Sequence, residues 1–317
     1  MKVSLPALLL GAFALCSPSF SQDWEQIACG TAPQVAAQIP ALQQLANGLE
    51  SRNELGQTAL ILAAESNPDP LVLRLLLEAG ANLEAQDSVG WTALTAAAAS
   101  YAPPEIIKAL LEAGADLHTR DQAGATALIW AARMSATPEV LELLLEAGSD
   151  LDAQDSEERT ALLAATTYNP RPAITEMLLR AGAKLEAKDQ SKRTALLSAT
   201  SFNTNADVLA VLLDAGADLE ARDCNNATSL MVAARRFDSQ ADSILMLINA
   251  GAELHARDDI GQSSLMIAAR HNSSAVIAEL LKASSRLETR NASSDAALRW
   301  IVHGLSFLLY EEGNRPT

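Results

Sequence analysis

The sequence predicts an all-α solenoid of helix-turn-helix units, and three observations predict it. Thr58-Ala59-Leu60 returns as Thr92-Ala93-Leu94, Thr126-Ala127-Leu128, Thr160-Ala161-Leu162 and Thr194-Ala195-Leu196, then in degraded form as Thr228-Ser229-Leu230 and Ser263-Ser264-Leu265. Gly80, Gly114, Gly148, Gly182, Gly216 and Gly251 keep the same beat, and so do Asp87, Asp121, Asp155, Asp189, Asp223 and Asp258. The step is 34 residues, once 35. Such a unit cannot bury its apolar face alone and does so by stacking on its neighbours. The length of 317 residues then reflects the number of layers rather than two separate cores.

Within a unit each element has a local cause. Thr58 caps the helix that follows, its hydroxyl accepting an orphan backbone N–H. Leu60, Ala63 and Ala64 make one apolar side, and the alanines permit close helix approach. Asn67-Pro68-Asp69-Pro70 ends that helix and starts the next, because proline suits a first helical turn. Leu71 to Leu77 form a strongly apolar second helix. Gly80 closes it in the left-handed conformation. Leu83 to Asp87 and a turn at Gly90 lead into the next unit.

This pattern resembles the ankyrin repeat. The residues that carry the resemblance are the turn glycine, T-A-L in place of T-P-L-H, the paired alanines, L-L-L-E-A-G-A and the following L-E-A-x-D. It covers Asn53 to about Asn291. It implies an ankyrin-repeat solenoid whose helix pairs are joined by β-hairpin or loop connections. The histidine that usually follows T-P-L is replaced by Ile61, Thr95, Ile129, Leu163, Leu197, Met231 and Met266, so packing must substitute for a hydroxyl–imidazole bond. The proline-containing inter-helix form is similar to exported bacterial ankyrin proteins.

The expected organisation is a signal peptide over 1–21, a degenerate capping repeat over 22–52, seven repeats over 53–290 starting near 53, 87, 121, 155, 189, 223 and 258, and a degenerate cap over 291–317. Lys2, the apolar run Val3–Cys16 and Ser19-Phe20-Ser21 have the anatomy of a secretory signal with cleavage after Ser21. The run is too short to span a bilayer. Acylation at Cys16 is disfavoured by Leu15, where a small residue is needed. Export, periplasmic or extracellular, is therefore expected. Six layers separate Cys29 from Cys224, so two unpaired thiols are expected.

The formal charge of -16 argues against nucleic acid and anionic membranes as partners. His118, His255, His271 and His303 have no metal-ligand spacing, and no phosphate loop or nucleophile elbow occurs. Asp116, Asp150 and Asp218 match no calcium loop. Asn226-Ala227-Thr228, Asn272-Ser273-Ser274 and Asn291-Ala292-Ser293 fit the glycosylation pattern, for which turns are reason enough. No catalytic residue, cofactor or metal is expected.

By resemblance to the family, a monomer is expected to bind a protein partner in a groove lined by hairpin tips and first helices. That places Trp91, Trp130, Arg133, Met134, Tyr168, Phe202, Arg235, Arg236, Arg270 and His271 in it. Arg159, Lys192, Arg193 and Asn225 stand at the tips, with Tyr101 and Phe237 flanking. Met134, Tyr168 and Phe202 recur at one repeat position, followed there by Arg236 and His271. An aromatic run leading into arginines has the composition of an interface. The role is that of an inhibitor or immunity factor, or of a helper of a periplasmic enzyme. The alternative is a sensor of a small anionic ligand at Arg235, Arg236, Arg270 and His271.

Overall fold

The computed structural model describes residues 27, 29–44, 47–134, 137–236, 241–271 and 277–283. The signal segment, Phe237, His303, the acceptor sequences at Asn272 and Asn291 and the cap at 291–317 lie outside the described residues. The described chain is helices joined by turns, with no strand among the described residues. Helix α1 (Ala32–Gln43) precedes the pairs α2 (Ala59–Ser66) and α3 (Pro70–Glu78), α4 (Ala93–Ala99) and α5 (Pro104–Glu112), α6 (Ala127–Met134) and α7 (Pro138–Glu146), α8 (Ala161–Tyr168) and α9 (Pro172–Arg180), α10 (Ala195–Phe202) and α11 (Ala206–Asp214), and α12 (Ser229–Arg235) and α13 (Ala241–Ala250). Helix α14 (Ser264–His271) follows.

Two compact units divide the chain: Met1–Ala165 with Glu176–Ala183, and Thr166–Thr175 with Lys184–Thr317. In the first, α2, α4 and α6 pack side by side and α3, α5 and α7 do the same behind them. In the second, α10, α12 and α14 pack together, as do α11 and α13.

The first helix of each pair is buried almost all round. Ala59 to Ala64 are each at most 1% exposed, which is why alanine dominates there: neighbours on both sides leave room for little more. The second helix is buried along one stripe, Val72, Leu73 and Leu76 in α3 and Ile106, Ile107 and Leu110 in α5, the i, i+1, i+4 spacing of an amphipathic helix. Thr58 and Thr92 cap as the sequence predicts, accepting from Ile61 N and Thr95 N. Thr194 and Thr228 are buried with hydroxyls that have no partner.

Layers are also tied by polar hooks. Asn203 Nδ2 donates to Thr166 O and Asn169 O, both at 2.9 Å. Asn67 makes the equivalent bonds to Ile27 O and Gly30 O. Arg222 Nη1 spans Asn226 O and Arg257 O at 2.8 Å each. At the tips, Gln122 N donates to Val89 O at 3.0 Å and Cys224 N to Ser191 O at 2.9 Å. Cys29 and Cys224 are exposed thiols.

Each tip turns through a left-handed residue. Gly56, Gly90, Gly124 and Gly261 hold that position in four layers, while Glu158, Lys192 and Asn226 hold it with φ of 61°, 59° and 60° in the others. A side chain in this conformation meets its own carbonyl. Lys192→Gly is therefore expected to stabilise the second unit by about 1 kcal/mol, read as a higher urea midpoint at unchanged slope.

Candidate functional site: an aromatic and arginine face on the first helices

The aspartate of each unit builds the tip between successive helix pairs. Asp87 Oδ1 accepts from Val89 N at 2.9 Å and Trp91 N at 2.8 Å. Asp121 does the same for Ala123 N and Ala125 N, Asp155 for Glu157 N and Arg159 N, Asp189 for Ser191 N and Arg193 N, Asp223 for Asn225 N and Ala227 N, and Asp258 for Ile260 N and Gln262 N. One oxygen is thus spent on the turn in every layer, and the other is left for a side chain.

That second oxygen is where the layers diverge. Asp121 Oδ2 accepts from the indole Nε1 of both Trp91, at 3.1 Å, and Trp130, at 2.7 Å. The two indoles meet edge to face, centroids 5.0 Å apart and planes at 70°, a favoured aromatic geometry. The Arg133 guanidinium lies over the Trp130 ring at 5.0 Å. In the next layer Asp155 Oδ2 takes Arg159 Nε at 2.9 Å and Nη2 at 2.8 Å. Arg159 also meets Glu157 at 3.1 Å, and it is buried. In the second unit Asp189 Oδ2 takes Arg193 Nε at 2.9 Å and Nη2 at 2.8 Å. The Arg193 guanidinium in turn covers the Phe202 ring at 4.8 Å.

The expected groove residues are thereby placed. Trp91, Trp130, Arg133 and Met134 are half-buried on the first unit. Tyr168 and Phe202 are 39% and 48% exposed on the second. Arg235 is exposed, its Nη2 3.9 Å from Asp258, and Arg270 is exposed. Arg236 is half-buried, and its Nη1 donates to Thr200 O at 3.0 Å and Asn203 O at 3.3 Å. It thus hooks the same kind of carbonyls that Asn203 and Asn67 hook in their layers. The side chain of His271 lies outside the described residues. Lys192 and Asn225 are exposed at their tips, and Tyr101 is 69% exposed at its inter-helix turn.

Two participants carry no obvious mark in sequence. One is the role of Asp121 as shared acceptor, since its indole donors Trp91 and Trp130 lie 30 residues before it and nine after it; only the Arg159 and Arg193 pairs announce themselves, by an aspartate four residues earlier. The other is Glu65 on α2. Its carboxylate accepts from the Gln57 amide, yet burial, with the Asp87 carboxylate adding to it, pushes its pKa above the usual glutamate value of 4.5. A raised carboxyl stabilises the fold fully below pH 4.5, and that contribution is lost as pH rises through the folded pKa. Glu65→Gln, which cannot ionise, is expected to remove this part of the pH dependence. Thermal melts at pH 4.5 and 7.5 should therefore show a larger stability gain over wild type at 7.5.

Among the described residues no group of three His, Cys, Asp or Glu side chains could hold a metal ion. No described helix is long and apolar enough to cross a membrane.

The comparisons agree with the repeat geometry. A model described as ankyrin repeats (3 copies) matches residues 34–121, 97–189 and 168–258. The ankyrin repeat domain of Bcl-3, a member of the IkappaB family, is 31% identical with a TM-score of 0.57, over 74% of this chain and 100% of its own. The human ASB11 ankyrin repeat domain is 27% identical with a TM-score of 0.64, over 72% and 98%. No curated protein matches. With the repeat model spanning most of its length and the same helix-pair architecture behind it, the chain belongs to the ankyrin repeat family.

Proposed function

We propose that this protein is an exported, non-enzymatic scaffold that binds a protein partner across its first helices and hairpin tips. Ankyrin repeats generally mediate protein–protein binding, which supports the coarse part of this reading. The observation that carries it is the state of Phe202. The ring is 48% exposed although its helix is otherwise buried from Ala195 to Thr200, and Arg193 holds it from one side. A large apolar side chain kept rigid at a surface favours binding, because little entropy is lost on contact. Tyr168, one unit earlier in sequence, is exposed to a similar degree.

Export rests on the anatomy of residues 1–21, and with it the role of inhibitor, immunity factor or helper of a periplasmic enzyme. The small-anion reading is weaker. The recess of about 200 Å3 lined by Thr200, Asn203, Arg236 and Ser243 has its arginine bonded to two carbonyls, and Arg235 is near a carboxylate.

The test is site-specific crosslinking in native extract. A photoreactive residue at Phe202 is expected to give discrete protein adducts, and one at Glu142 on the outer face of α7 none. Adding excess wild-type chain should suppress the Phe202 adducts, and adding excess Y168A/F202A/R235A should not. Equal adducts from both positions would sink the proposal.

A further inference from the structure

The groove reading leaves the chemistry of the partner open, and the second unit narrows it. Helices α10, α12 and α14 pack side by side, and one repeat position on them reads Ser201, Arg235 and Arg270. The position after it reads Phe202 and Arg236 in the first two of these layers. Arg236 Nη1 donates to Thr200 O and Asn203 O, on either side of Phe202. The exposed Phe202 ring therefore borders the layer that carries Arg235, and Arg270 stands one layer further on.

How each charge is engaged decides what this face attracts. Asp189, Asp223 and Asp258 each turn one oxygen to the backbone of their own tip. The second oxygen of Asp189 holds Arg193 at 2.8 Å. That of Asp258 is 3.9 Å from Arg235, too far for a hydrogen bond. Arg235 and Arg270 are exposed, and among the described residues Arg270 and Lys192 have no ion-pair partner. Asp259, exposed at the last tip, is the opposing charge. The other exposed acids of this unit include Asp207 and Asp214 on α11 and Asp218 and Glu253 in the loops after α11 and α13. A chain of formal charge -16 thus presents loosely held arginines beside an exposed aromatic ring, the pairing found at interface hot spots. Exposed cations hold a lone small anion weakly against water. Carboxylates carried on a segment anchored at Phe202 reach them at high effective concentration.

We propose that Arg235 and Arg270, beside the exposed ring of Phe202, dock an acidic segment of the protein partner, with an apolar side chain on the ring and aspartate or glutamate on the two arginines. The proposal rests on the groove reading, and its test separates the two. Random dodecapeptides displayed on phage are selected on the full chain, and the selected peptides are then measured by fluorescence anisotropy. The net charge of the chain by itself would draw basic peptides; the docking surface is expected to enrich aspartate and glutamate together with an aromatic or aliphatic residue. R235A/R270A should weaken their binding at least tenfold, and Arg180→Ala, which removes a cation from α9, less than twofold. Selection on R235E/R270E should turn the enrichment to lysine and arginine, which also shows that the charge-reversed chain still presents the face. Equal weakening by R235A/R270A and Arg180→Ala would mean diffuse attraction and would overturn the docking surface. Basic or uncharged peptides that are lost on Phe202→Ala would overturn the acidic segment and leave the groove standing. Peptides indifferent to Phe202→Ala and to R235A/R270A, or no peptides at all, would overturn both.

Discussion

Asp121→Ala is expected to destabilise the first unit by about 3 kcal/mol, the cost of stranding one buried and three partly buried donors at once. Asp121 is only 9% exposed. It serves Ala123 N, Ala125 N and two indoles. Asparagine divides the loss, and the chain itself supplies the precedent. Asn53 stands at the equivalent position of the first layer and accepts from Leu55 N at 3.0 Å and Gln57 N at 2.9 Å with its Oδ1. Asp121→Asn should therefore keep the turn and lose the indole bonds, costing about 1–2 kcal/mol. Urea unfolding measures both variants. In Asp121→Asn, the indole N–H resonances of Trp91 and Trp130 should move upfield while the amides of Ala123 and Ala125 stay in place. Unchanged indole resonances would show that Asp121 is not their acceptor. Because a solenoid unfolds by neighbouring layers, the loss should centre on residues 87–134.

Gly90→Ala should cost about 2–3 kcal/mol, combining left-handed strain with a steric clash. Gly90 has φ 87°, and a Cβ there would sit 2.9 Å from Gln122 N and 3.1 Å from Asp121 Cα. The next tip lies against it, bonded through Gln122 N to Val89 O. Gly261 is the internal control. It has φ 78°, but a Cβ added there would meet nothing within 4 Å, so Gly261→Ala should cost only about 1 kcal/mol. Hydrogen exchange at Gln122 reads the loss directly: its protection should fall in Gly90→Ala. Equal costs at the two glycines would mean that the close approach between tips contributes nothing.

Much of the fold was legible in the order of residues, for reasons local to the chain. The Thr-Ala-Leu starts mark the first residues of α2, α4, α6, α8 and α10, because a hydroxyl cap acts within one turn. The apolar stripe of each second helix follows from its own spacing. Lining Tyr168 and Phe202 up at one repeat position required only counting. The arginines resisted such counting. Arg159, Arg193, Arg235 and Arg236 read alike as basic residues on one face, yet one is buried against Asp155, one pairs with Asp189 while covering Phe202, one is exposed and one hooks backbone carbonyls. Their fates depend on which atoms the adjoining layer leaves unsatisfied.

By itself the sequence determined the repeat, its helix pairs and its turns, because caps, prolines, glycines and apolar periods act over a few residues. Only the tertiary structure decided the partners that lie about one repeat away: Trp91 with Asp121, Asn203 with Thr166, Arg236 with Thr200. Stacking brings such residues together, and a buried donor or acceptor must then take whatever complement that layer presents.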